Sequence, residues 1–227
     1  MSAIKAIFIK QIADFPKNMS VSMMYILWPL IAFMMAQAMP PEYAMPQIAM
    51  FAAILVGVTP MIGIANTVAE DNEYKGLRFL VMAGVKPWQY LIGLSGFVLI
   101  MSALSTAAFV FIGDFAGQQL IRFILIAALS CLASAVLGGA IGIFAKNVQQ
   151  ATSIYTPVMM LLMFLPMLSM FNETIQQVAQ FVFSYQVLQI VLNPYADFTR
   201  AIVIIVANIA LLLAFFIVAY KKRGLSG

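Results

Sequence analysis

The chain has 227 residues, 64% of them apolar and 9% charged, with a mean hydropathy of +1.01. Soluble domains run at roughly 45–50% apolar and 25% charged, so lipid must be the main solvent here, and both a soluble core and a disordered chain are excluded. The formal net charge is +4, histidine is absent and Cys131 is the single cysteine, which leaves no intrachain disulfide and no His/Cys metal cluster.

The basic residues are therefore read as topology signals rather than as a nucleic-acid surface. Within 1–18, Ile4, Ile7, Phe8, Ile12 and Phe15 recur at helical spacing, while Lys5, Lys10, Asp14 and Lys17 take other faces. This predicts an amphipathic elbow helix lying in the membrane interface. A bilayer core needs about 20 apolar residues per helix, and charge-free runs supply six: 19–39, 47–69, 89–112, 123–145, 152–171 and 201–220. In the first run Ala36-Gln37-Ala38 has the form of a cleavage site, but the charged leader before it is long for a secretion signal.

Between spans two and three, residues 70–88 hold six of the 20 charged residues. Glu70 and Glu73 stand one turn apart, and Leu77, Leu80 and Val81 form an apolar stripe. The pattern predicts a short amphipathic helix projecting from the inner ends of spans two and three. The loop Lys146-Asn147-Val148-Gln149-Gln150 offers a second contact point. Span four carries Ser134, Gly138 and Gly142 at small-xxx-small spacing, which lets a neighbouring helix approach closely, within the subunit or across a dimer. Pro29, Pro60, Pro157 and Pro166 each remove a backbone donor from a span.

Residues 174–196 are uncharged and long enough to cross, but six side-chain amides are costly to bury in hydrocarbon. Charge decides the matter. With six spans and both termini inside, ten of twelve Lys/Arg fall inside, and only Arg122 and Arg200 fall outside. A seventh span would place Lys221-Lys222-Arg223 outside, against the positive-inside rule. The segment is expected to be an outer re-entrant helical pair, bent at Ser184-Tyr185 and leaving at Asn193-Pro194. The fold class is an all-α, multi-pass membrane protein forming one transmembrane domain.

The sequence contains no HExxH, GxSxG or GxxxxGK[ST] motif, so it binds no ATP through a P-loop of its own and is not expected to be catalytic. No ionisable side chain falls in the middle of a span, which disfavours a proton-coupled carrier.

This arrangement resembles the ABC-2 type permeases, the membrane domains of one class of ATP-binding-cassette exporters. The inner loop carries the resemblance best. The family often shows Glu-x-x-Glu-x-Gly-Thr-Leu-Glu, then a Leu-rich stretch and a proline; here Glu70, Glu73, Gly76, Leu80 and Pro87 follow it. Tyr74-Lys75 precedes the glycine, Leu77 and Arg78 stand where Thr and Glu are common, and Leu94 replaces a frequent basic residue. Further similar stretches are Ala145-Lys146-Asn147-Val148-Gln149-Gln150-Ala151 and Phe164-Leu165-Pro166-Met167-Leu168.

The resemblance implies a separate cassette ATPase that binds ATP-Mg, with no cofactor on this chain. It implies a second permease copy or paralogue, and a bacterial cell membrane. It also implies coupling through Glu70, Glu73, Gly76, Leu77 and Leu80. Phe51, Leu55, Thr59, Met159, Met163 and Phe164 would line the cavity, with Pro166 and Leu168 at the outer gate. An apolar lining suits amphiphilic peptides, drugs or lipids. The rival readings are a channel or ion-coupled secondary carrier and a non-transporting membrane immunity or scaffold protein.

Overall fold

The computed structural model describes residues 3–14, 19–193 and 195–225, all in helices and short connections. In chain order these are α1 (Ala3–Asp14), α2 (Met19–Ala38), α3 (Pro41–Glu73), α4 (Gly76–Met82), α5 (Pro87–Ile112), α6 (Gly117–Phe144), α7 (Val148–Ser169), α8 (Glu173–Ala179), α9 (Phe183–Leu192) and α10 (Phe198–Leu225). Six of them, α2, α3, α5, α6, α7 and α10, are long and apolar enough to cross a bilayer, and they coincide with the six expected runs. Phe15, Lys17 and Pro194 lie outside the described residues.

The chief departure concerns α3. The charges at Glu70 and Glu73 suggested that the span ends at residue 69, yet the helix runs on to Glu73. Charge alone does not break a helix. The chain turns only where Lys75 takes a left-handed φ of 58°. At 33 residues and 1.5 Å per residue, α3 is about 50 Å long, so its ends project beyond a hydrocarbon core of roughly 30 Å.

α3 is also the pillar of the bundle. Its apolar window is 94% buried, against 22% for α2, α7 and α10. It touches α2, α4, α5, α6, α7 and α9. Its closest neighbour is α6. A Cβ at Gly138 would sit 2.3 Å from the Met61 carbonyl oxygen, and one at Gly142 would sit 2.5 Å from the Val68 Cβ. The small-residue stripe of α6 is therefore spent inside the subunit, on α3.

The prolines set the polar joints of the bundle. Pro29 has no N–H for the carbonyl of Tyr25, four residues before it, and the Ser105 hydroxyl of α5 donates to that oxygen at 2.7 Å. Pro166 likewise frees the carbonyl of Leu162, and Ser184 of α9 donates to it at 3.1 Å. Beside Pro60 the Ser134 hydroxyl of α6 enters the α3 ladder. It accepts from the Met61 N–H at 3.0 Å and donates to the Gly57 carbonyl at 2.7 Å. At Pro29 and Pro166 the freed carbonyl is thus met by a serine from a neighbouring helix, and beside Pro60 a serine joins the ladder one residue along, as a low-dielectric surrounding favours.

The turn between α8 and α9 falls at 180–182, earlier than the expected Ser184-Tyr185, which instead open α9. No glycine or proline marks this turn. Partners from elsewhere take up its freed carbonyls: Gln186 Nε2 donates to the Gln180 carbonyl, and Asn208 Nδ2 of α10 donates to that of Phe181 at 3.0 Å. Ser130 of α6 donates to the Phe183 carbonyl at 3.3 Å, and a Cβ at Gly57 would lie 3.0 Å from the Ser184 Cβ. The turn therefore sits beside residues well inside α3, α6, α7 and α10.

The joints predict a double-mutant cycle. Ser105→Ala should cost about 0.6 kcal/mol and at most about 1.7 kcal/mol. In a Pro29→Ala background the Tyr25 carbonyl regains its own helical donor, so the same change should then cost almost nothing. Thermal unfolding in detergent measures both, and additive losses would contradict the pairing.

Candidate functional site

The α4 end of the bundle concentrates the polar chemistry. Asp71 continues the buried face of α3 marked by Ile64 and Val68, at helical spacing of four and three. Its carboxylate is buried. The Tyr90 hydroxyl of α5 donates to one oxygen at 2.7 Å, and Lys10 Nζ of α1 donates to the other. Next to it, the Asn72 side-chain amide lies 2.9 Å from the carbonyls of Gly142 and Ala145 and 3.2 Å from that of Ile143. These oxygens lie at the C-terminal end of α6, where helical carbonyls run out of intrahelical donors, so α3 caps α6 across the bundle. Tyr220 of α10 donates from its hydroxyl to the Val85 carbonyl at 3.2 Å, and its ring lies 5.8 Å from that of Tyr90. Two adjacent residues thereby bind the ends of α1, α3, α5 and α6, with α10 alongside.

α4 is mounted on this node by well-defined ends. Lys75 begins it with its left-handed turn, and a Cβ at Gly76 would already stand 3.3 Å from the Asp71 carbonyl. Gly84, at a φ of 75°, ends it: the Ala83 N–H makes a last helical bond to the Phe79 carbonyl at 2.9 Å, and the Val85 N–H reaches back to the Leu80 carbonyl at 3.0 Å, the six-to-one bond of a Schellman closure. Pro87 then opens α5, and Gln89 Oε1 accepts the Lys86 N–H at 2.9 Å.

The two faces of α4 differ. Leu80 turns inward onto the cluster of Tyr90, Phe216 and Tyr220. Phe79 and Met82, one turn apart, are each 64% exposed, and Tyr74 on the approach is 79% exposed. Glu73 is exposed and Glu70 half-buried. The side chains of Leu77 and Val81 lie outside the described residues, so of the expected apolar stripe only Leu80 is seen, and it faces the bundle. The apolar surface presented outward is Phe79 and Met82. Their three-residue spacing was the available signal, hidden by the Leu and Val residues around them. The loop at Lys146 lies at the same end, next to the Ala145 carbonyl that Asn72 holds. Asn147 Oδ1 accepts the Gln150 N–H at 2.8 Å and Gln150 Oε1 accepts the Lys146 N–H at 2.8 Å.

The expected cavity-lining residues are scattered. Leu55 and Thr59 are enclosed within the bundle at 1% and 0% exposure. Phe51 is half-buried and stacks on Trp28 of α2 with ring centroids 6.2 Å apart. Met159 and Met163 are half-buried against the main core, while Phe164 is exposed. Of the expected gate pair, Pro166 is buried and Leu168 exposed. Among the described residues there is no group of His, Cys, Asp and Glu fit to hold a metal ion.

A family model described as ABC-2 family transporter protein matches residues 21–220, from the first span through the last. The chain belongs to that family. No curated protein gives a match. As an ABC-2 family chain it is a multi-pass membrane component of a transporter, a class generally non-catalytic by itself. The polar cluster built on Asp71 and Asn72 lies at the base of α4, the short helix that the resemblance marks out.

The node yields a graded prediction. Asp71→Ala and Asn72→Ala should each destabilise the detergent-solubilised protein by about 1–3 kcal/mol, because each strands buried polar groups. The Lys10 side chain is 49% exposed, so Lys10→Ala should cost about 0–1 kcal/mol. Equal losses for all three would show that the node is not organised around Asp71 and Asn72.

Proposed function

We propose that this chain is the transmembrane subunit of an ATP-driven exporter and that α4 is the helix through which a separate cassette ATPase moves it. One observation carries the reading: α4 turns two large apolar side chains, Phe79 and Met82, away from the bundle, while its base is fixed to the ends of four helices. A helix so placed can transmit a push, because displacement at its outer face loads α3 directly and α1, α5 and α6 through Asp71 and Asn72. Glu73 and Glu70 add negative charge beside the apolar pair, and Gly76 permits the tight start.

The partner supplies ATP-Mg and hydrolysis, and a second permease copy or paralogue completes the pathway. Orientation follows from charge. Lys10, Lys86, Lys146 and Lys221 all lie at the α4 end, whereas Arg122 and Arg200 lie at the other, so the α4 end and both termini face the cytoplasm. The α8–α9 pair then enters from the outside and returns. Its Ser184 binds the carbonyl freed by Pro166, which supports a gate built on the α7 kink near Pro166 and Leu168. In this reading Phe51, Leu55, Thr59, Met159, Met163 and Phe164 are cavity-lining only once α3 and α7 separate. The cargo is amphiphilic. An apolar cleft of about 640 Å³ runs between α5 and α6, bordered by Phe111, Ile124 and Leu125, and suits an acyl or aromatic moiety better than a sugar.

The test is co-purification with the cassette ATPase. Phe79→Ala with Met82→Ala should lower ATPase recovery and export at least about tenfold, the loss of 1.4 kcal/mol or more expected for two interface anchors. The permease itself should keep its unfolding midpoint. Unchanged recovery and export would remove α4 from the interface, and unaided transport by the purified chain would remove the ATPase.

A further inference from the structure

The end of the bundle opposite α4 holds a cavity of a different character. It has a volume of about 350 Å³ and lies between α8, α9 and the start of α10. Five glutamine side chains border it, together with Tyr185, Asp197 and Arg200. Small-molecule clefts span roughly 300–1,000 Å³, so this one suits a polar head group rather than a whole lipid or drug.

Its polar groups are organised but not saturated. Arg200 Nη2 donates to Gln180 Oε1 at 2.6 Å, and Gln180 Nε2 donates to the Gln177 carbonyl at 2.7 Å. Gln176 Nε2 donates to the Tyr185 hydroxyl at 3.2 Å, leaving that hydroxyl its own proton to give. Gln186 is 7% exposed and donates to the Gln180 carbonyl. Asp197 Oδ1 accepts the Arg200 backbone N–H at 3.0 Å, so its second oxygen remains available. The cavity therefore presents one guanidinium, one carboxylate and several amide donors, with no net charge. A ligand that carries both a phosphate and an ammonium matches each in turn: phosphate on the Arg200 fork and the amides, ammonium on Asp197.

The surroundings decide the source. Val178 and Phe181 on the α8 side adjoin lining residues in sequence, Val203 lies one helical turn after Arg200, and the three are 59%, 62% and 60% exposed. Arg200 stands in the first turn of a helix whose following residues are apolar enough to cross a bilayer, which places the cavity at head-group depth. A soluble zwitterion gains nothing from such a rim, whereas a lipid can lay its chains along it.

We infer that this pocket binds the zwitterionic head group of a phospholipid of the phosphoethanolamine class. The inference does not rest on the exporter reading, because the lipid is read out without any ATPase.

Native mass spectrometry of the detergent-solubilised chain, titrated with short-chain phosphatidylethanolamine, phosphatidylglycerol or diacylglycerol, tests it. The protein should retain phosphatidylethanolamine about tenfold better than phosphatidylglycerol and show no specific retention of diacylglycerol. Arg200→Gln should lower retention of phosphatidylethanolamine about tenfold. Asp197→Asn keeps the cap on α10 and should erase the preference between the two phospholipids. Gln177→Leu, on an exposed position, provides a second variant that should weaken retention without touching α10. Equal retention by the parent and Arg200→Gln, or a preference that survives Asp197→Asn, would overturn the assignment. So would displacement of the lipid by water-soluble glycerophosphoethanolamine at equal concentration, which would make the pocket a solute site.

Discussion

A carbonyl freed by a proline inside hydrocarbon has no water to turn to, and this bundle answers with serines. Ser105 takes the Tyr25 carbonyl freed by Pro29 and Ser184 the Leu162 carbonyl freed by Pro166, while Ser134 bridges the Met61 N–H and the Gly57 carbonyl beside Pro60, each from a different helix. Lipid tails supply no hydrophobic drive between helices, so close packing and such hydrogen bonds are what hold the spans in register. The consequence is a bundle of rigid pieces joined at few points. Each joint is one or two neutral hydrogen bonds, each worth on the order of 1 kcal/mol. Tight packing of α6 on α3 through Gly138 and Gly142 fixes one pair of helices. α7, with its exposed outer face, is held across its kink by the α8–α9 pair.

The number, order and approximate limits of the spans were legible because hydrophobic run length depends on local composition alone. The ends were less so. α3 continues through an acidic stretch because Asp71 and Asn72 have partners on α1, α5 and α6, and nothing local announces partners so distant in sequence. For the same reason the short helix in the 70–88 segment was legible as a helix while the direction its side chains face was not. Leu80 looked like a docking residue, but Tyr90, Phe216 and Tyr220 claim it for the core. The bend between α8 and α9 falls earlier than expected because its carbonyls are met by Asn208 and Gln186 rather than by a turn-forming residue. The prolines were visible in the sequence; their serine partners needed three dimensions.

The two ends of the molecule differ in their chemistry. The α4 end gathers cations, caps one helix with another and presents a small apolar ridge, an arrangement suited to a rigid protein partner. The opposite end is amide-rich and nearly neutral, with short helices that turn beside the interior of the bundle, an arrangement suited to lipid head groups. α3 passes between them and is the only described span enclosed along almost all of its apolar window. A load applied at α4 therefore has a short route toward Ser184 and Pro166, through a helix packed against most of the bundle.

The central claim is that the outward face of α4 meets a cassette ATPase. It is tested most directly by placing a photo-crosslinking amino acid at Phe79 in intact cells and identifying the adduct. The account predicts a single dominant protein adduct that carries a GxxxxGK[ST] motif and that disappears when the ATPase is absent. Adducts to lipid alone, or labelling of the same position by a membrane-impermeant reagent added outside, would contradict it.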